Sequence, residues 1–259
     1  MTQNLVALRG VGKTFKNGTL ALSGLDLDVE AGEFLTLLGP SGCGKSTILR
    51  LIAGLDKPSA GAIERPFPER IAEIGFVFQE PTLMPWASVF DNVYLPLRLK
   101  KESRAKAKSR VEATLSLVGL SAFAKAYPRE LSGGMRMRVS IARALVLKPA
   151  LLLLDEPFAA LDEITRFRLN DDLIRLKQEL GTTVVFVTHS VYESVYLSTR
   201  IAIMAPRPGR IVKEIAIAAD LPRNESFRMS AAYGALCVEA SKSLQAAMAQ
   251  GAYGEEEAR

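Results

Sequence analysis

Two cysteines and one histidine are all that this chain of 259 residues has of those types, and each scarcity closes off a kind of site. Cys43 stands inside a glycine-rich stretch and Cys237 lies far from it, so no disulfide framework is expected. His189 has no second histidine with which to share a metal, which argues against imidazole-based metal ligation. Aromatics are 7% of the residues against 48% hydrophobic, so the apolar content is mainly Leu, Val and Ile, as in α/β domains. No apolar run reaches the roughly 18 residues of a membrane span. The run at 150–154 is short and ends in Asp155. The opening residues, MTQNLVALRG, lack the charged and apolar regions of an export signal, and the expectation is a cytoplasmic protein. There is no internal repeat and no low-complexity segment. The net charge of +5 suits an anionic ligand or a membrane surface, but also many ordinary proteins.

What is present is ordered punctuation. Residues 5–30 alternate apolar and polar side chains on either side of Asn17-Gly18, which predicts an antiparallel β region with a turn there. EFLTLLGPSGCGKSTILRLIAGL reads as a buried strand, a glycine loop and a helix stopping at Gly54. IGFVF, from Ile74 to Phe78, is another apolar strand. From about Glu80 to Pro149 the pattern is mainly helical, interrupted by Pro81, Pro85, Pro96 and Pro128. ALLLLDEP and TTVVFVTH are continuous apolar runs, as in parallel strands covered on both faces. Between them DEITRFRLNDDLIRLKQELG has helical spacing and closes on Gly181.

The runs at 34–38, 74–78, 151–154 and 183–188 are each followed at once by a chemically capable polar residue. Ligands of parallel α/β sheets sit beyond the carboxyl ends of the strands, so four strand ends are expected around one site.

Gly39 to Ser46, GPSGCGKS, satisfies G-x-x-x-x-G-K-[ST] between a strand and a helix. Its backbone N–H groups can wrap phosphate oxygens, Lys45 can reach the β- and γ-phosphates, and the Ser46 hydroxyl suits Mg2+. Asp155, at a strand end, suits the same metal, and Glu156 beside it suits a base that orients water. His189 fits a hydrogen bond to the γ-phosphate. Gln79 offers a neutral amide to Mg2+ or to the attacking water. A second anion site opens at Leu131: in LSGGMRMRVSIAR, Ser132, Gly133 and Gly134 precede a basic helix, and a helix N-terminus attracts anions. One nucleotide already has its phosphates in the first loop, so this second turn needs another explanation.

Together these residues resemble the ATP-binding-cassette (ABC) ATPases over about 5–215. The phosphate loop at 39–46, the Gln79 loop, LSGGM, LLLLDEP, AALD and His189 follow that family's order and approximate spacing. The resemblance implies an α/β P-loop NTPase fold with a mainly parallel core sheet, an N-terminal antiparallel β subdomain and an inserted helical subdomain. It divides a single domain, 1–259, into a nucleotide-binding core at about 5–79 and 150–215, a helical subdomain at 80–149 and a helical tail at 216–259. It implies ATP and Mg2+ as cofactors, held by Gly39, Pro40, Ser41, Gly42, Cys43, Gly44, Lys45, Ser46 and Thr47. It implies a head-to-tail homodimer in which Ser132 and Gly134 face the γ-phosphate held by the other copy, with Gly133 and Asp162 of AALD also among the nucleotide-binding residues. Phe15 matches the family's adenine-stacking aromatic; a place in the hairpin core is the alternative.

GFVFQEPTLMPWASVFDNVYLPL, with LSGGM and PFAALDEITR, is most similar to the ATPase subunits of the nitrate/sulfonate/taurine import group. That implies import of a small anionic solute, with permease subunits and an extracytoplasmic solute-binding protein as partners, at the cytoplasmic face of the membrane. The loop at 80–90 would receive the permease's coupling helix. Met135, Met137 and Ala159 depart from common family residues without removing a phosphate or metal contact. A lipid or efflux transporter ATPase is the alternative within transport, and a non-transport cassette ATPase acting on nucleic acid or ribosomes is the alternative outside it; no nucleic-acid partner is expected. Arg98 to Arg110 holds seven Lys/Arg and one Glu, a solvated helix face or a contact for anionic headgroups. After about Ile217 a helix should pack on the body, and the final EEEAR should fray.

Overall fold

The expected hairpin at Asn17-Gly18 forms. In the computed structural model, which describes residues 3–65, 74–218 and 223–256, β1 (Asn4–Thr14) and β2 (Leu20–Glu30) run antiparallel with Leu8 opposite Leu27. Gly18 takes φ 83° in the turn and donates to the Phe15 carbonyl. Their alternation buries Val6, Leu8, Val11, Leu25 and Leu27. β3 (Phe34–Leu38) is buried along its whole length. α1 (Lys45–Ile52) buries Ile48, Leu49 and Ile52, and ends before Gly54 at φ 71°. β4 (Ala60–Glu64) adds to β1 as a third antiparallel strand, Ala7 opposite Glu64. It escapes sequence reading because AGAIE is almost wholly exposed and carries no apolar alternation.

β5 (Ile74–Val77) ends one residue earlier than expected. It pairs in parallel with β6 (Leu151–Asp155), Val77 opposite Leu154. Between them lie α2 (Val89–Leu99), α3 (Arg104–Leu117) and α4 (Gly133–Leu145), as the helical pattern of 80–149 predicts. α5 (Glu163–Leu180) follows β6 and stops at Gly181, φ 60°. Ser88, Ser103, Ser132 and Asp162 cap these four helices, each side chain accepting from a backbone N–H three residues on.

β7 (Thr183–Thr188) runs parallel to β3, Leu38 opposite Thr188. After α6 (Val191–Leu197), β8 (Arg200–Ala205) lies parallel on the other side of β3, and β9 (Arg210–Ala216) pairs antiparallel to β8. Neither β8 nor β9 is among the strands expected from the sequence, although β8 is buried along nearly its whole length. The short α7 (Glu225–Arg228) leads into α8 (Ala231–Glu256), which packs on α6, β8 and β9. Glu255 and Glu256, expected to fray, belong to α8, while 257–259 lie outside the described residues.

The chain divides into two compact units, Met1–Arg70 with Thr183–Arg259, and Ile71–Thr182. The first carries the antiparallel sheet, the phosphate loop and His189; the second carries Gln79, LSGG, Asp155 and Glu156. The basic run at 98–110 is not one helix face: it spans the end of α2, a turn with Lys101 at φ 62°, and the start of α3. Its cations include ion-paired ones, Arg104 with Asp91, Lys108 with Glu112 and Arg110 with Glu102. Neither cysteine is in a disulfide, and both are buried. No described helix is long and apolar enough to cross a membrane.

Candidate functional site

The glycine loop needs its glycines for geometry. Gly42 and Gly44 adopt φ 77° and 96°, a left-handed backbone with little cost only for glycine. A Cβ on Gly44 would also meet Leu22 Cδ2 at 2.6 Å. Gly209, between β8 and β9, also presses on the loop: a Cβ there would stand 2.2 Å from the Cys43 carbonyl oxygen. Gly209 donates to the Ala21 carbonyl at 2.9 Å, so β2 and the β8–β9 turn brace the loop together. Sequence reading misses Gly209, because nothing local marks it as a neighbour of residues 43 and 44.

α1 starts at this loop with no side-chain cap, whereas α2 to α7 are each capped by Ser, Asp or Asn. A first turn without a capping oxygen suits an anion as its partner. Lys45 is 3% exposed, and its Nζ donates to the Gly39 and Pro40 carbonyls, both at 2.8 Å. The ammonium is thereby held inside the loop. Left-handed glycines, a helix start without a side-chain cap and a loop-bound ammonium fit a polyphosphate. Ser46 and Thr47 are the next residues of α1.

Register brings His189 to the same edge. Leu38 and Thr188 are paired on parallel strands, so Gly39 and His189 are the next residues out of each. His189 is exposed. Its backbone is fixed on both sides: the Thr188 hydroxyl donates to the buried Glu193 carboxylate at 2.5 Å and accepts from Ser190 N at 3.0 Å. Glu193 carried no signal in the sequence, since a glutamate in a helix reads as solvated.

The second unit repeats the arrangement. Val77 and Leu154 are paired in parallel, and two residues beyond them stand Gln79 and Glu156. Gln79 is exposed, and Asp155 is 9% exposed as the last residue of β6. Glu156 takes φ 44°, in the left-handed region that costs a non-glycine residue of order 1–3 kcal/mol. Its carbonyl accepts from Ala159 N at 3.2 Å, which closes the turn. A strained backbone just past a strand end fixes where Glu156 leaves the main chain, a position from which a carboxylate can orient water.

LSGG is a helix start. Ser132 is the exposed N-cap of α4, its Oγ accepting from Met135 N at 3.3 Å, and Gly133 and Gly134 are the first helical residues. Gly134 has a packing reason of its own, because a Cβ there would stand 2.7 Å from Thr165 Cγ2 on α5. Asp162 caps α5, accepting from Thr165 N at 2.9 Å, and that N–H holds its carboxyl below the usual carboxylate range. Phe15 is 38% exposed in the β1–β2 turn, with the Lys13 ammonium 5.4 Å from its ring centre. The hairpin core is therefore not its place.

The described residues thus form two clusters, one within each unit. One holds Gly39 to Thr47 with His189, and the other holds Gln79 with Asp155 and Glu156. Among the described residues no group of three or more His, Cys, Asp or Glu could hold a metal alone. Each cluster carries oxygen donors of its own, the Ser46 hydroxyl in one and the Asp155 carboxylate and Gln79 amide in the other.

Comparison with known proteins follows the same outline. A family model described as ABC transporter matches residues 22–159. The chain is 46% identical over 222 residues to a putative ATP-binding protein of Brucella abortus, covering 85% of each chain. It is 47% identical over 208 residues to the aliphatic sulfonates import ATP-binding protein SsuB of Bacillus subtilis, covering 79% of this chain and 80% of that one. Among solved structures, the dimeric post-hydrolysis state of the ATP-binding cassette MJ0796 bound to ADP and Pi is similar with TM-score 0.73 and 36% identity, over 83% of this chain and 99% of that one. The cbiO1 component of the cbiONQ ABC transporter complex from Clostridium perfringens is similar with TM-score 0.74 and 29% identity, over 82% of this chain and 88% of that one.

Proposed function

We propose, since this chain belongs to the ABC transporter family and is an ATPase subunit of it, that it powers the import of a small anionic solute of the sulfonate, nitrate or taurine kind. Its partners in that reading are a second copy of itself, membrane permease subunits and an extracytoplasmic solute-binding protein, and it works at the cytoplasmic face of the membrane. Similarity to the sulfonate import subunit supports the solute class, and similarity to a dimeric cassette supports the homodimer. In this reading 5–79 and 150–215 are the nucleotide-binding core, 80–149 the helical subdomain and 216–259 the tail.

The single observation that carries the reading is the loop from Gly39 to Ser46, with left-handed glycines, no side-chain cap on α1 and Lys45 folded onto the loop carbonyls. ATP phosphates would take up the backbone N–H groups there, and Lys45 would exchange carbonyl oxygens for phosphate oxygens. Mg2+, when bound through Ser46, Asp155 and Gln79, supplies charge neutralisation at the phosphates; it favours oxygen ligands and keeps several waters. Glu156 orients and deprotonates the attacking water, and His189 donates to the γ-phosphate. Ser132, Gly133 and Gly134 serve the nucleotide of the partner copy beside Asp162, and Phe15 stacks on adenine. ATP closes the dimer, and hydrolysis releases it.

Reconstitution tests the proposal. The subunit with its neighbouring permease, in vesicles, is given the exported binding protein loaded in turn with a sulfonate, nitrate, taurine or a cationic control. Anion-dependent stimulation of ATPase with uptake is the expected result. Uptake that follows the cation, or ATP-driven export, refutes the import assignment.

A further inference from the structure

The loop after Gln79 is anchored at two places. Asn92, buried on α2, donates from its amide to the carbonyls of Met84, Ala87 and Ser88 at 3.2, 3.1 and 3.0 Å, and accepts from Met84 N at 2.8 Å. There a neutral amide satisfies neutral backbone.

The other anchor is a cation. Arg143, near the end of α4, donates from Nη1 to the Thr82 carbonyl at 2.9 Å, and from Nη2 to the Pro81 carbonyl at 2.9 Å and the Thr82 hydroxyl at 3.0 Å. Among the described residues no carboxylate pairs with it, and burial pushes its pKa down. A half-buried guanidinium thus gives up hydration for two carbonyls and a hydroxyl, a costly way to hold a loop. Its planar fork can engage adjacent carbonyls at once, which a flexible ammonium does less well. Thr82 is held at φ 46°, an unfavourable region for a β-branched residue, and both of its bonded oxygens go to Arg143.

Sequence distance turns this anchor into a lever. β5 ends at Val77 and the first Arg143 bond falls on Pro81, so only Phe78, Gln79 and Glu80 lie between a strand and a fixed point. Arg143 also lies on the 13-residue helix that begins at the Ser132–Gly134 turn. Such a helix is a rod of about 20 Å, with the turn at one end and the loop anchor near the other.

We propose that Arg143 is a positioning residue that ties the Gln79 span to the helix bearing the serine-glycine turn, so that Gln79 and that turn move as one body. It rests on the ATPase reading and deepens it: force applied to the 80–88 loop reaches both the residue that touches the metal or water and the turn that serves the partner's nucleotide. Arg143 touches neither nucleotide nor metal itself.

A double-mutant cycle on the purified subunit tests this, with kcat at saturating Mg-ATP and ATP affinity measured separately in EDTA. Displacing a catalytic group by about an ångström costs as much as ~10²-fold, so Arg143→Gln should lower kcat by about 10- to 100-fold. ATP affinity should change less than about threefold, since the phosphate loop is untouched, and Arg143→Lys should recover part of the rate. In a Gln79→Ala background, Arg143→Gln should add less than about threefold, because both changes remove one function. Effects that multiply, an unchanged kcat, or equal losses of kcat and affinity overturn the proposal. Should Arg143→Gln yield no folded protein, Arg143→Lys enters the same cycle and must show the same non-additivity. A wild-type subunit without ATPase would defeat the underlying reading instead, so the two failures are distinguishable.

Discussion

Leu38 stands directly opposite Thr188 on adjacent parallel strands, and that pairing sends Gly39 and His189 out of the sheet at one edge. Antiparallel pairing would have sent them to opposite edges. The same rule, acting on Val77 and Leu154, sends Gln79 and Glu156 out together in the other unit. Two parallel pairings therefore assemble groups far apart in the chain, with no contact needed between the functional side chains themselves.

Glu156 is expected to be the water-orienting base. Glu156→Gln keeps size and shape but removes the acceptor of a proton, so turnover should fall by ~10²–10⁴-fold. ATP should then hold the protein as a dimer, seen as a shift to shorter elution times in size exclusion. Phosphate release at the wild-type rate would take Glu156 out of this role.

Lys45→Ala should abolish nucleotide binding at the glycine loop. A ligand at about 100 times its Kd stabilises a protein by ~2.7 kcal/mol, and that ATP-dependent rise in Tm should vanish in the variant. A full rise in Tm would place ATP elsewhere.

Gly134→Ala separates packing from ligand recognition. The new Cβ would lie 2.7 Å from Thr165 Cγ2, and such overpacking costs about 1–3 kcal/mol. Adding Thr165→Ser removes that methyl and should restore most of the lost stability. Denaturant melts of the single and double variants without nucleotide decide it; a single variant as stable as wild type would refute the packing account.

Asp162 gives a pH signature. Its carboxyl is held below the ordinary 3.8 by the Thr165 N–H, so its capping contribution is complete above that value and disappears as pH falls through the folded one. The Tm difference between wild type and Asp162→Ala should be largest near neutral pH and shrink as pH falls below 3.8. A difference that grows on acidification would contradict the cap.

Much of the candidate site was legible because its signals are local. GPSGCGKS announces itself through glycines whose φ values of 77° and 96° are set within the loop, and LSGG through a serine that caps the helix it begins. Apolar runs gave β3, β5, β6 and β7 to within a residue, since a strand buried on both faces admits little else. β4 was not legible: it is exposed along most of its length and exists only because β1 offers an edge.

Sequence alone determined which groups could bind phosphate, coordinate a metal or orient water, because chemistry belongs to side chains and short loops. Tertiary structure decided which of them meet, through the registers of β3 with β7 and of β5 with β6. It also decided what supports them: Gly209 against Cys43, Glu193 behind Thr188, and Arg143 on the loop beyond Gln79. Those partners lie 166, 5 and 62 residues away along the chain, and a hydrogen bond or a steric limit acts through space, where linear order leaves no trace of it.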